Sequence, residues 1–173
     1  MRTLGIAVAL LATAGSVLAA QAQAQAQAQV PPPPLAFVFE EVFDLTSPQV
    51  VGDTPAGRRQ NVTITGGRFS GPGFSGRVLP GGGDYQLIRP DGAVEIDAEY
   101  LLETDDHIVV HARHLGTITP PKAGGEGYFW STHSFDAPSG KYGWMNGAVF
   151  VSRIGRAGDK DHPAVRITVW KVG

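Results

Sequence analysis

The chain has 173 residues, 14 Lys and Arg against 16 Asp and Glu, a net charge of −2 and no cysteine. A balance this close to neutral, with no basic run longer than Arg58-Arg59, lacks the electrostatic footprint of a nucleic-acid binder. The missing cysteines exclude disulfides, thiol chemistry and anchoring through an acylated cysteine, so packing alone must hold the fold.

Met1-Arg2 leads into the apolar run Leu4 to Ala20, 17 residues that end in small side chains. This pattern predicts a secretory signal peptide over residues 1–22 and a periplasmic or secreted product with no membrane attachment after cleavage. The run is shorter than the roughly 20 residues that span a bilayer; an uncleaved N-terminal anchor is the alternative. Ala-Gln alternation from Ala20 to Gln29, then Pro31 to Pro34, predicts a disordered or polyproline leader over 23–34. Residues 35–173, 139 in all, suffice for one domain with a single core.

From Leu35 onward the pattern is alternation, with little helical periodicity. Strands are predicted at Ala36 to Val42, Arg59 to Thr65, Gly67 to Ser70, Phe74 to Leu79 and Tyr85 to Arg89. Further strands follow at Val94 to Glu103, Ile108 to His114, Tyr128 to Phe135, Ala148 to Ile154 and Val165 to Val172. Pro90-Asp91-Gly92 is the clearest turn, and Asp105-Asp106 is a second hairpin tip. Strands at this spacing, among 23 glycines and 13 prolines, predict an all-β domain. A single antiparallel β-barrel is favoured over a sandwich because long strands curl and close without leaving edges.

The segments GGRFSGP, SGRVLPGGGDYQLIRPDG, EIDAEYLLETDD, GYFWSTHSFDA and KYGWMNGAVFVSRIGR, in this order, resemble the bacterial and fungal family known as domain of unknown function 3237. The resemblance runs from about Leu35 to Val172. It implies a single antiparallel β-barrel and neither a general activity nor a cofactor. The matching positions include Gly71, Pro72, Asp84, the Pro-Asp-Gly turn, Asp97, Tyr100, Thr104-Asp105-Asp106, Tyr128-Phe129, Trp144 and Asn146. Glu99 stands where relatives tend to carry arginine, which weakens an internal Asp-Arg pair there, and His107 stands where they usually carry glycine.

Period-two geometry places Asp84 and Gln86 on one strand face, and Glu95, Asp97 and Glu99 on one face of another. A carboxylate inside an apolar barrel has its pKa raised and can act as general acid or base near neutrality. Asp84, Asp97 and Tyr100 are therefore the candidate catalytic residues. For Asp84 the competing role is to accept backbone hydrogen bonds beside the turn Gly81 to Gly83. Gln86, Tyr128, Trp130, Trp144 and Asn146 are the candidate ligand-binding residues, suited to a planar molecule; the rings could equally be core. The histidines 107, 111, 114, 133 and 162 do not build a metal site by spacing, and neither metal nor cofactor is expected. No GxSxG or GxGxxG motif serves a nucleophile or a dinucleotide.

The reading that follows is an exported barrel that binds a small molecule, with no nucleic-acid partner. Cofactor-independent isomerase or lyase chemistry on an aromatic or carbonyl compound, driven by an internal carboxylate, would make it an enzyme; the residues leave that open. They also leave open self-association as a homo-oligomer. The alternative is a non-catalytic structural or interaction protein with a filled barrel.

Overall fold

The computed structural model describes residues 31–121, 125–159 and 161–173. The predicted signal peptide, 1–22, and the leader up to Val30 lie outside the described residues. Ten strands follow: β1 (Leu35–Leu45), β2 (Gln49–Thr54), β3 (Gly57–Ser70), β4 (Gly76–Val78), β5 (Gly83–Ile88), β6 (Val94–Thr104), β7 (Val109–Ile118), β8 (Trp130–Asp136), β9 (Phe150–Arg156) and β10 (Ala164–Val172). A short 3-10 helix, Gly143–Gly147, precedes β9.

All pairings are antiparallel, and they close a ring. β6 to β10 pair in sequence, β10 pairs β1, and β1 pairs β3. β4 and β5 share one place between β3 and β6. β1 and β2 likewise share one flank of β3, from Ser70 to Ile64 and from Asn61 to Gly57. Ten strands thus occupy eight positions of a closed antiparallel barrel, as the alternation predicts.

Local chemistry explains the connections. In the β5–β6 hairpin Pro90 opens the turn, Gly92 takes φ 85°, and Asp91 accepts the Ala93 N–H at 3.1 Å. Glycine is also required at Gly67, where a Cβ would strike the Val42 carbonyl of β1. Two sequence expectations change here. Arg59 to Thr65 and Gly67 to Ser70 are one strand, β3, because glycines at 66 and 67 bend it without breaking its ladder. β2 is an added strand; its sequence QVVGDT is mostly exposed and carries no core-facing alternation that would announce it.

Register sorts the inward residues into three layers. At one end Phe39, Phe69, Phe74, Phe135 and Phe150 pack edge to face or tilted, with ring centroids 4.6–6.0 Å apart. Tyr142 and Met145, from the 3-10 helix and its N-terminal flank, are buried and seal this end. The middle layer holds Glu41, Tyr100, His133 and Ser152, all buried. At the other end the inward residues line a cavity.

Candidate functional site

The cavity has a volume of about 100 Å³. Its walls are apolar, from Phe43 and Leu45 on β1, Val62 and Ile64 on β3, Ile96 and Ala98 on β6, and Ile154, Val165 and Ile167 on β9 and β10. Three polar side chains join them: Asp84 and Gln86 from β5, and His114 from β7. An apolar pocket with a few convergent polar groups is the usual form of a small-molecule site.

Asp84 is held by strand geometry and by its neighbours. Its Oδ2 accepts the Gln86 Nε2–H at 2.6 Å, and its Oδ1 accepts the Asp97 backbone N–H at 3.2 Å. Gln86 Oε1 in turn accepts from Gln60 Nε2 at 2.7 Å, so the amide is fixed with its NH₂ toward the carboxylate. The backbone bond that Asp84 accepts comes from across the sheet, on β6, rather than from the glycine turn. Burial raises the Asp84 pKa, partly offset by the Gln86 bond, with the charge of Asp97 adding to the rise.

Behind His114 runs a polar chain that the sequence reading missed. His114 Nε2 lies 2.6 Å from Ser131 Oγ, which lies 2.8 Å from Ser152 Oγ, which lies 2.9 Å from His133 Nδ1. His133 Nε2 is 3.1 Å from Glu41 Oε1 and 2.9 Å from the Tyr100 hydroxyl, and that hydroxyl donates to Glu41 Oε1 at 2.8 Å. The two imidazoles stack at 4.3 Å. Glu41 is fully buried, and desolvation lifts its pKa from 4.5 to about 8 despite the Tyr100 bond. Burial keeps both histidines neutral: the His133 pKa falls to about 3, and that of His114 falls well below its ordinary value, with His133 adding to the fall. Glu41 Oε2 is the one fully buried side-chain polar atom without a hydrogen-bond partner among the described residues.

The other sequence-predicted site residues lie elsewhere. Tyr100 points inward but sits in the middle layer, bonded to Glu41, and does not line the cavity. Asp97 is on the outer face, where Arg113 of β7 grips it with two bonds at 3.1 Å. The reason is electrostatic: Glu95, Asp97 and Glu99 form one face of β6, and three adjacent carboxylates cannot share an apolar interior. An Asp-Arg pair thus exists, outside the barrel rather than within it. Tyr128 is 54% exposed. Trp130 lies on the outer wall, 5.8 Å from Trp170. Trp144 and Asn146 belong to the 3-10 helix rather than to a strand, at the sealed end. Asn146 there bonds both the N–H and the carbonyl of Ala137, at 2.7 and 2.9 Å. Of the eight candidates, Asp84 and Gln86 line the cavity.

The signal for the missed residues was present as alternation. Phe39, Glu41 and Phe43 share a face of β1, and Ser131, His133 and Phe135 share a face of β8. A lone Glu between two phenylalanines at period two is an inward carboxylate.

Fold and cavity define a closed antiparallel barrel with a small, mostly apolar pocket backed by buried acid–base groups. The chain belongs to the family described as "Protein of unknown function (DUF3237)", which matches residues 33–172. It is 38% identical over 130 residues to a UPF0311 protein of Clostridium acetobutylicum, covering 65% of this chain and 82% of that one. A hydroalkoxylation enzyme of Penicillium herquei is 32% identical over 84 residues, 49% of each chain. A beta-barrel like protein of Acinetobacter baumannii superposes with a TM-score of 0.73 at 30% identity, covering 84% of this chain and all of that one.

Proposed function

We propose that the barrel is exported and that its cavity binds a small aromatic or carbonyl-bearing molecule on which Asp84 performs proton transfer, as a cofactor-independent lyase or isomerase. The observation that carries this reading is Asp84 itself, a carboxylate of raised pKa on the wall of an apolar cavity, with Gln86 orienting it. Hydroalkoxylation adds an alcohol O–H across a C=C bond: a proton leaves oxygen, the oxygen bonds one alkene carbon as the π bond breaks, and a proton reaches the other carbon, with no redox change. The partial similarity to the Penicillium herquei enzyme therefore favours chemistry of this kind, with a hydroxyl and a conjugated alkene on one substrate.

The test is calorimetric binding and turnover with a panel of hydroxylated aryl alkenes, on wild type and Asp84→Asn. Asp84→Asn is expected to keep binding within a few-fold and to lower turnover by about 10²–10⁴. Unchanged turnover would remove Asp84 from the chemistry, and no binding by any member would favour a structural barrel. Export is tested by the intact mass of protein recovered from the periplasm, which should show cleavage near residues 20–24.

A further inference from the structure

Glu41, Tyr100, His133, Ser152 and Ser131 are buried in the barrel, beyond the reach of a ligand in the cavity, and take no part in the chemistry assigned to Asp84. Yet they form one unbroken hydrogen-bonded path, each link from Glu41 to His114 between 2.6 and 3.1 Å. A structural role alone does not account for a carboxyl that is fully buried, faces no cation and leaves one oxygen bare. The groups facing it are Tyr100 from β6 and His133 from β8, both neutral in the folded barrel.

We propose that Glu41–His133–Ser152–Ser131–His114 is a proton relay that delivers the Glu41 proton to a molecule in the cavity. This rests on the reading of the cavity as a reaction site. His114 is the catalytic residue of the relay, and the others position it and pass its proton.

Protonation of Glu41 on Oε1 sets one direction along these contacts. With Glu41 protonated, Oε1 donates to His133 Nε2 and accepts from Tyr100, which leaves Oε2 as the unpartnered carbonyl oxygen. His133 then carries its proton on Nδ1 and donates to Ser152, Ser152 donates to Ser131, and Ser131 donates to His114 Nε2. His114 therefore holds its own proton on Nδ1. In transfer, the Glu41 O–H bond breaks as His133 Nε2–H forms, and His133 Nδ1–H passes to Ser152. The hydroxyl protons of Ser152 and Ser131 each move one place on, the last to His114 Nε2. His114 Nδ1–H goes to the ligand. Each serine ends with one proton, both imidazoles end neutral as Nε2–H tautomers, and Glu41 ends as a carboxylate held by Tyr100 and His133. Water entering the emptied cavity resets the path in reverse. With Asp84 taking a proton from oxygen, His114 is placed to give one to carbon.

The experiment reads the tautomers directly, without any ligand. Full-length protein with ¹⁵N-labelled histidine is titrated by NMR from about pH 6 to beyond the Glu41 pKa of about 8. Below that pKa, His133 and His114 should both be neutral Nδ1–H tautomers, and His133 should switch to Nε2–H as Glu41 ionises. Glu41→Gln should hold His133 as Nδ1–H throughout, because the amide still donates and cannot ionise. Ser131→Ala should leave the His133 switch intact, free His114 from a single tautomer, and lower turnover by about 10²-fold at nearly unchanged KM. His133 found as Nε2–H at low pH, or unchanged across the titration in wild type, overturns the relay even if Glu41→Gln does not fold. Tautomers as expected alongside a failed ligand panel would leave the relay standing and remove the proposed substrate class.

Discussion

The two ends of the barrel are built to opposite rules. At the sealed end five phenylalanines, Tyr142 and Met145 fill the interior, and Asp106 fastens the cover by accepting from Lys141, Tyr142 and Thr104. At the cavity end the inward residues are mostly aliphatic, stop short of the axis, and admit Asp84, Gln86 and His114. Ring size makes much of the difference, since aromatic side chains reach across an eight-position barrel and valine or isoleucine does not. The sealed end therefore holds the fold, and the open end tolerates groups that cost stability.

The sharpest break of this contrast is truncation of the fully buried Phe39, which touches three other rings. Phe39→Ala should cost about 3–5 kcal/mol by denaturant unfolding, whereas Ile154→Ala at the cavity wall should cost about 2 kcal/mol or less, because the cavity already interrupts its packing. Equal losses would mean that the two ends share the fold's stability evenly.

The polar layer between them makes stability depend on pH in two directions. The Glu41 pKa is raised on folding, so stability is lost as pH rises from 4.5 to about 8, on the order of 5 kcal/mol at about 1.4 kcal/mol per unit. The His133 pKa is depressed, so stability is lost as pH falls from 6.5 toward 3, with His114 acting in the same sense. Between 4.5 and 6.5 the two effects oppose each other. Thermal unfolding of wild type should decline on both flanks, and Glu41→Gln should flatten the alkaline flank while leaving the acid one. An unaltered alkaline flank in the variant would show that Glu41 does not titrate there.

A smaller effect is expected at the open end. The Asp84 pKa is also raised, so Asp84→Asn should be as stable as wild type or slightly more so near neutrality, while losing activity. The smallest concerns the outer wall: Asp97→Asn should shift the unfolding midpoint hardly at all, since its pair with Arg113 is solvated. A large loss there would mean that the outer ladder matters as much as the core.

Much of the barrel was legible because alternation and turn chemistry are local. The site was less so, for a reason visible in two strands. On β6, period two separates Glu95, Asp97 and Glu99 from Ile96, Ala98 and Tyr100 but does not itself say which set faces in. That choice is made by the ring's closure and by the cost of burying three like charges. On β1 the same rule hides a functional carboxyl among phenylalanines, where composition suggests plain core. His107 shows a different limit. It adopts φ 61° at the β6–β7 turn, the left-handed region that glycine takes without steric cost, and nothing in alternation or turn chemistry announces that conformation for a histidine.

The pairing of β1 with β10 reaches beyond equilibrium. The strand that begins the barrel is also the one that completes it, with the Gly173 N–H bonded to the Pro34 carbonyl at 3.0 Å. No ring exists until β10 is paired with β1, so contacts between distant parts of the chain must form before much of the core is enclosed. Such a topology, rich in contacts between distant parts of the chain, folds slowly. Removing β10, Ala164–Val172, would expose the edges of β1 and β9 together, leaving two unpaired ladders open to association with another chain.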